Sequence, residues 1–202
     1  MTLASLFAAH RIRVSRLSAL AVALVLAVSG SAWDRTFTDA VLFMIGVVLA
    51  GAATVGRLWC SLYIAGYKEG MLITTGPYSI SRNPLYFFSF VGAVGVGLAT
   101  ETITFVIVFA LWFWLFYPAV MDAEERKLLE LHGTRFSEYC RRVPRFFPKW
   151  PLLVEPESYA VRPDRFRSHL FDALWFVWAL GLLEVLEALH KYKLLPTLLT
   201  WY

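Results

Sequence analysis

Apolar residues along this chain do not alternate with polar ones. They come in runs long enough to fill whole helices. A helix that crosses a bilayer needs about 20 mostly apolar residues, within a range of about 17 to 25. Five runs approach that length: Leu17 to Trp33, about Ala40 to Ala65, Leu85 to Ala99, Thr102 to Met121, and Leu170 to about Leu189. Only Thr100-Glu101 separates the third run from the fourth, which predicts a tight antiparallel hairpin. Gly92, Gly95 and Gly97 in the third run let neighbouring helices come close. Two polar stretches interrupt the pattern. Gly66 to Pro84 is predicted as a loop, punctuated by Gly66, Gly70, Gly76, Pro77 and Pro84. Asp122 to His169 predicts a short helix from Ala123 to His132, a break at Gly133 and a second helix from about Arg135 to Arg142. Val143-Pro144 ends that helix, and Pro151, Pro156 and Pro163 mark an irregular connector. The expected fold is all-α: one polytopic membrane domain over residues 1–202, a bundle of about five transmembrane helices with a helical cytoplasmic region from 66–84 and 122–169.

Composition agrees with this pattern. The chain has 202 residues, 58% hydrophobic and 17% charged, against roughly 45–50% and about 25% in an average soluble domain. Disorder is excluded, because it requires low hydrophobicity and high charge. Two cysteines, Cys60 and Cys140, exclude a disulfide scaffold. Neither cysteine has metal-ligand spacing, and His10, His132, His169 and His190 are scattered, so no metal site is expected. The net charge is +4, but the basic residues flank apolar runs rather than forming a wet basic face, so no nucleic-acid partner is expected.

The same basic residues set the expected orientation. Arg11, Arg13 and Arg16 precede the first run, the stretch from Asp122 to His169 carries ten Lys and Arg, and the Thr100-Glu101 turn has none. By the positive-inside rule the N-terminus and both polar stretches face the cytoplasm and the C-terminus lies outside, with Lys191 and Lys193 opposing that last placement. The basic start and Ser29-Gly30-Ser31-Ala32 also fit a secretory signal, but the apolar run is long for one and a second follows closely.

Two polar stretches on one side can share a water-accessible pocket at the membrane surface. The first reads Thr75-Gly76-Pro77-Tyr78-Ser79-Ile80-Ser81-Arg82-Asn83-Pro84-Leu85-Tyr86. The second contains Glu124-Glu125-Arg126-Lys127-Leu128-Leu129, then His132-Gly133, Tyr139 and Arg142-Val143-Pro144-Arg145. In order and spacing these segments resemble the isoprenylcysteine carboxyl methyltransferase family, which is related to phospholipid N-methyltransferases. That family has a Gly-x-Tyr turn, Arg-His/Asn-Pro-x-Tyr, a helical hairpin, paired Glu, then Gly, Tyr and Val-Pro. Arg57-Leu58-Trp59 also looks like the family's arginine–tryptophan element, and the resemblance covers about Val55 to Pro148.

The resemblance implies an integral, multi-pass membrane methyltransferase that uses S-adenosylmethionine without a Rossmann domain, its active site facing the cytoplasm and its acceptor lipophilic. It implies cofactor contacts at Tyr63, Gly70, Met71, Leu72, Ile73, Tyr78, Asn83, Pro84, Leu85, Tyr86 and Glu124. Arg82, Asn83 and Glu125 are the implied catalytic group, with Arg82 offsetting the cofactor carboxylate or bracing Glu124 or Glu125. Methyl transfer of this kind needs alignment at about 3–3.5 Å more than acid–base machinery. For an amine acceptor, Glu125 or bulk water takes the proton.

Three departures mark this chain. Asn83 stands where the prenylcysteine enzymes usually have His, and an amide does not titrate. Val120 stands where they have an arginine implicated in binding the substrate carboxylate, leaving Arg57, Arg126 or Arg145 as substitutes. The fifth apolar segment lies beyond the family's usual end and either completes the bundle or forms a homodimer. The acceptor is therefore a prenylcysteine-like carboxylate, a lipid amine or another hydrophobic O, N or S nucleophile. A nicotinamide-dependent reductase of the sterol-reductase type has a similar Arg-His-Pro-x-Tyr turn, but the paired Glu and Val-Pro-Arg spacing fits the methyltransferases better. A non-enzymatic small membrane protein is the third alternative.

Overall fold

The structure, a computed structural model, describes residues 21–32, 37–65 and 70–202. Arg11, Arg13, Arg16, the start of the first apolar run and Lys68 lie outside the described residues. Helix α1 is Phe37–Ile64, α2 the single turn Pro77–Ile80, α3 Pro84–Ala99, α4 Ile103–His132, α5 Thr134–Arg142, α6 Pro163–Ala173 and α7 Trp175–Lys191. A 3-10 turn covers Trp150–Leu152. Among the described residues, three helical spans are long and apolar enough to cross a membrane: α1, α4 and the α6–α7 run Pro163–Lys191, with α3 a shorter apolar helix.

The second and third apolar runs are helical within a few residues of their expected limits, while the fifth divides between the end of α6 and α7, with Leu174 between them outside both helices. Three expectations need correction. Residues 21–26 of the first run are helical, but Ser29–Ser31 forms strand β1, so the run does not stay helical to its end. β1 pairs in parallel with β2, Leu199–Trp201, in the register Ser29 to Leu199 and Ser31 to Trp201. Serine and glycine disfavour a helix, and Leu-Thr-Trp suits an extended strand. The fold is therefore predominantly helical rather than all-α. The expected loop from Gly66 to Pro84 contains the turn α2, which Pro77 starts with its fixed φ.

The third correction concerns α4. The expected helix from Ala123 to His132 is not separate; it is the end of one 30-residue helix. Asp122-Ala123-Glu124-Glu125-Arg126-Lys127-Leu128 holds no stop signal and is rich in strong helix formers. At about 1.5 Å per residue, a hydrocarbon layer about 30 Å thick takes up about 20 residues. Glu124 and Glu125 thus stand just past the apolar part of the same rod. Gly133, at φ +53°, separates α4 from α5.

The chain packs as two compact units. One contains the described residues up to Ala50, together with Ala93–Val120 and Val177–Tyr202. In it α1 and α3 touch backbone to backbone: a Cβ on Gly46 would lie 2.6 Å from the Gly95 carbonyl oxygen, and one on Gly95 would lie 2.7 Å from the Ala50 nitrogen. Its ends are tied by the β1–β2 pair, by Trp201 Nε1 donating to Ser29 Oγ at 2.9 Å and by Thr104 N donating to the Tyr202 carbonyl at 2.8 Å. The other unit contains Gly51–Gly92 and Met121–Phe176 and holds all the clustered polar side chains described below.

Candidate functional site

The site begins at Gly76. Its φ of +58° is a left-handed conformation that few side chains tolerate, and an added Cβ would fall 2.3 Å from the Tyr63 ring. Tyr63 is therefore pressed against the turn that starts α2. Ser79 Oγ closes this turn by donating to the Gly76 carbonyl at 2.7 Å. Ser81 is fully buried and sends its hydroxyl to the Phe146 carbonyl at 2.9 Å, while accepting from Asn83 N at 3.2 Å. Backbone bonds run alongside: Arg82 N donates to the Pro144 carbonyl at 2.8 Å and Lys149 N to the Ile80 carbonyl at 2.9 Å. These bonds sew residues 80–83 to the chain that leaves α5.

Arg82 and Asn83 are thereby aimed at α4. Asn83 Nδ2 donates to Glu125 Oε1 at 2.8 Å and to the Arg145 carbonyl at 3.1 Å. Arg82 Nη1 lies 3.4 Å from Glu125 Oε2 and 2.8 Å from Cys140 Sγ. Arg145 Nε lies 3.7 Å from Glu125 Oε2, and its Nη2 pairs with Asp122. Asp122 and Glu125 are three apart and share a helix face, so one guanidinium reaches both. Two arginines face two carboxylates, and the knot is neutral. Arg82 Nε is buried and has no hydrogen-bond partner among the described residues.

Tyr139 of α5 donates its phenol proton to the Tyr78 carbonyl at 2.7 Å. It sits in a buried cluster with Phe136 and Val143, against which Leu72, Leu128 and Cys140 pack. Burial pushes the Tyr139 phenol well above its ordinary range, with Arg82 partly opposing. The Tyr78 phenol is pushed up as well, first by burial and then by Cys60, Tyr139, Glu124 and Tyr86.

The predicted residues do not all converge. Contacts join Arg82, Asn83, Glu125 and Arg145, and Glu124 and Tyr86 are among the groups that raise the Tyr78 phenol. Leu72 packs on the α5 cluster, Ile73 and Pro84 are buried, and Leu85 is partly buried. Gly70 and Met71 are exposed. Val120 is buried in α4, within the first compact unit. Arg57 joins a different set: it donates to Ser89 Oγ and, at 3.5 Å, to the Asp172 carbonyl, with the Phe176 ring 5.9 Å from its guanidinium carbon. Asp122, Ser79, Ser81 and Cys140 were given no role in the site by the sequence. Asp122 had a legible signal, since it lies one turn before Glu125.

A membrane chain that joins an Arg-Asn-Pro turn to paired glutamates on one helix end has the layout of the membrane methyltransferases. The family model for phospholipid methyltransferases matches residues 35–135, half of the chain, and the chain belongs to that family. Among its relatives, the nickel-cobalt-cadmium resistance protein NccN of Alcaligenes xylosoxydans xylosoxydans is 42% identical, over 93% of this chain and 88% of that protein. The cobalt-zinc-cadmium resistance protein CzcN of Cupriavidus metallidurans is 38% identical, over 95% of this chain and 88% of that protein. The protein-S-isoprenylcysteine O-methyltransferase of Schizosaccharomyces pombe is 29% identical, over 42% of this chain and 36% of that enzyme. No solved structure matches the chain significantly.

Proposed function

We propose that the chain is a membrane methyltransferase that moves a methyl group from S-adenosylmethionine to a lipophilic acceptor at the cytoplasmic face. The observation that carries this is the Arg82–Asn83–Glu125–Arg145 knot, which ties the Arg-Asn-Pro turn to the paired glutamates of α4. The donor set fits the cofactor. The buried Arg82 Nε is an unmet donor for a carboxylate. Glu124 suits an ammonium or ribose hydroxyl, a charge-assisted bond. The backbone of Leu72 and Ile73 offers an edge for adenine, and aromatic faces at Tyr78 and Tyr86 favour a cation. S-adenosylmethionine supplies an already activated methyl group on a sulfonium.

The chain's own part is positioning. Both Glu125 oxygens are engaged, so Glu125 braces Arg82 and Asn83, and an acceptor proton leaves to water. Val120 is apolar, Arg57 and Arg145 hold protein partners, and of the three arginines that leaves Arg126, exposed on α4, to meet an acceptor carboxylate, which supports an acceptor recognised mainly by its apolar body. Titration of the purified protein with S-adenosylmethionine, and separately with NADPH, tests the assignment. Saturable binding of the first, lost in Glu124→Ala and Tyr86→Ala, is expected. Tight NADPH binding with no response to S-adenosylmethionine overturns it.

The relatives favour a physiological setting. Two of them are named for resistance to nickel, cobalt, zinc or cadmium, and the chain's family is one of methyltransferases. A role in tolerance of those metals is accordingly assigned to methylation of a membrane component. A sensitive host complemented with the wild-type gene should regain tolerance, and one carrying Glu124→Ala should not. Equal rescue by both refutes the link.

A further inference from the structure

Beyond the last residue matched by the family model, residue 135, the connector between α5 and α6 returns to Tyr63, implied above as a cofactor contact, and to the Gly76 turn that carries Tyr78. Trp150 stacks over Trp59 of α1, with centroids 6.4 Å apart and planes 3° apart. Val154 is bound from both sides: its carbonyl accepts from Gly76 N at 2.8 Å, and its N–H donates to Ser79 Oγ at 3.0 Å. Five residues on, Tyr159 donates its phenol proton to the Tyr63 carbonyl at 2.8 Å, and the two rings lie 4.6 Å apart at 37°. Tyr63 is thus held between Gly76 on one contact and Tyr159 on another, and Trp59, Tyr63, Gly76 and Ser79 are all gripped by one connector. General burial of the connector does not account for this grip. Leu153, Val154, Glu155 and Glu157 are exposed, and the hold runs through backbone bonds and aromatic rings.

We propose that this connector, residues 149–160, completes the cofactor site, with Tyr159 as a positioning residue that acts through Tyr63. This rests on the function proposed above. Tyr159 sets the height and tilt of the Tyr63 ring, and the Val154 bonds fix the Gly76 turn from which Tyr78 projects. The connector therefore governs how long the cofactor stays bound, more than the rate of the chemical step.

Binding and dissociation of S-adenosylmethionine test this, measured on the full chain in detergent micelles with Tyr159→Phe, Tyr159→Ala and Tyr63→Ala. Tyr159→Phe keeps the ring and loses one hydrogen bond, and a dissociation constant weakened about 2- to 10-fold is expected. Tyr159→Ala should weaken binding more, with a faster off-rate and a kcat changed less than KM. Tyr63→Ala removes the ring against Tyr159 but keeps the carbonyl that Tyr159 donates to, so combining Tyr63→Ala with Tyr159→Ala should weaken binding by less than the sum of the two. Glu130→Ala, at an exposed position on α4, is the control and should bind as the wild type does. A second measurement holds even where Tyr159→Ala fails to fold: S-adenosylmethionine should protect the wild-type chain from Glu-C cleavage after Glu157. Wild-type protein that does not bind S-adenosylmethionine sinks the proposed function itself. Wild-type binding with unchanged affinity in Tyr159→Phe, additive effects of Tyr63→Ala and Tyr159→Ala, or no protection at Glu157, overturns the role of the connector alone.

Discussion

Removing the Glu125 carboxylate probes the knot that holds Arg82 and Asn83. In Glu125→Ala, Asn83 Nδ2 loses its 2.8 Å acceptor and keeps the Arg145 carbonyl, Arg82 loses the carboxylate at 3.4 Å, and Arg145 loses the one at 3.7 Å while keeping Asp122. A hydrogen bond to a charged group contributes about 1.5–3 kcal/mol. The arginine pairs add less, because Arg145 is 39% exposed and water screens it. A total loss of about 3 kcal/mol is expected. Glu125→Gln keeps an oxygen for Asn83 and loses only the charge, for about 1–2 kcal/mol. Equilibrium unfolding in micelles, followed by tryptophan fluorescence, should rank Glu125→Ala below Glu125→Gln and both below wild type. The double variant with Asn83→Ala should show a coupling of about 1–2 kcal/mol, within the range for residues in one network. Additivity to within about 0.5 kcal/mol would mean that the bond between Asn83 and Glu125 carries no energy, and the bracing role of Glu125 would fall with it.

Gly95→Val should destabilise the chain by about 3 kcal/mol, as overpacking against a backbone that has no room to yield. Gly51→Ala, where nothing lies within 4 Å of an added Cβ, should cause no loss; equal thermal unfolding of the two variants would refute the close contact of α1 and α3. Tyr78 and Tyr139 keep their protons above the pH of about 10 at which an unfolded tyrosine ionises, because burial disfavours the phenolate. Above that pH the folded chain holds more protons than the unfolded one, so stability is unaffected below it and falls as pH rises past it. An ultraviolet tyrosinate titration should show a late component that shrinks in Tyr78→Phe and in Tyr139→Phe; early titration of both phenols contradicts their burial.

Much of the helical layout was legible because long apolar runs have few alternatives. The limits of α3 and α5 follow from local chemistry: Pro84 opens one, and Gly133 and Val143-Pro144 bound the other. What local chemistry did not give was continuity. The polar end of α4 reads as a separate helix because its hydropathy changes at Asp122, yet hydropathy reports the surroundings of a helix and not its backbone hydrogen bonds. The β1–β2 pair was equally hidden, since it joins residues about 170 positions apart and neither three-residue strand has a pattern of its own.

The candidate site divides along the same line. Gly76, Tyr78, Arg82, Asn83, Glu124 and Glu125 were visible as a spaced motif, but a motif does not separate the roles of two adjacent carboxylates. Helix geometry does. Successive residues project about 100° apart, so Glu124 and Glu125 cannot face the same partners. Glu125 meets Arg82, Asn83 and Arg145, and Glu124 comes close enough to Tyr78 to raise its phenol. The division is set by residues 144–149, which return beside residues 80–83 and bring Arg145 to Asp122 and Glu125. Because that return depends on the direction in which the chain leaves Val143-Pro144, it is a tertiary fact. It makes Glu125 the brace and leaves Glu124 as the carboxylate whose loss should abolish cofactor binding while the knot survives.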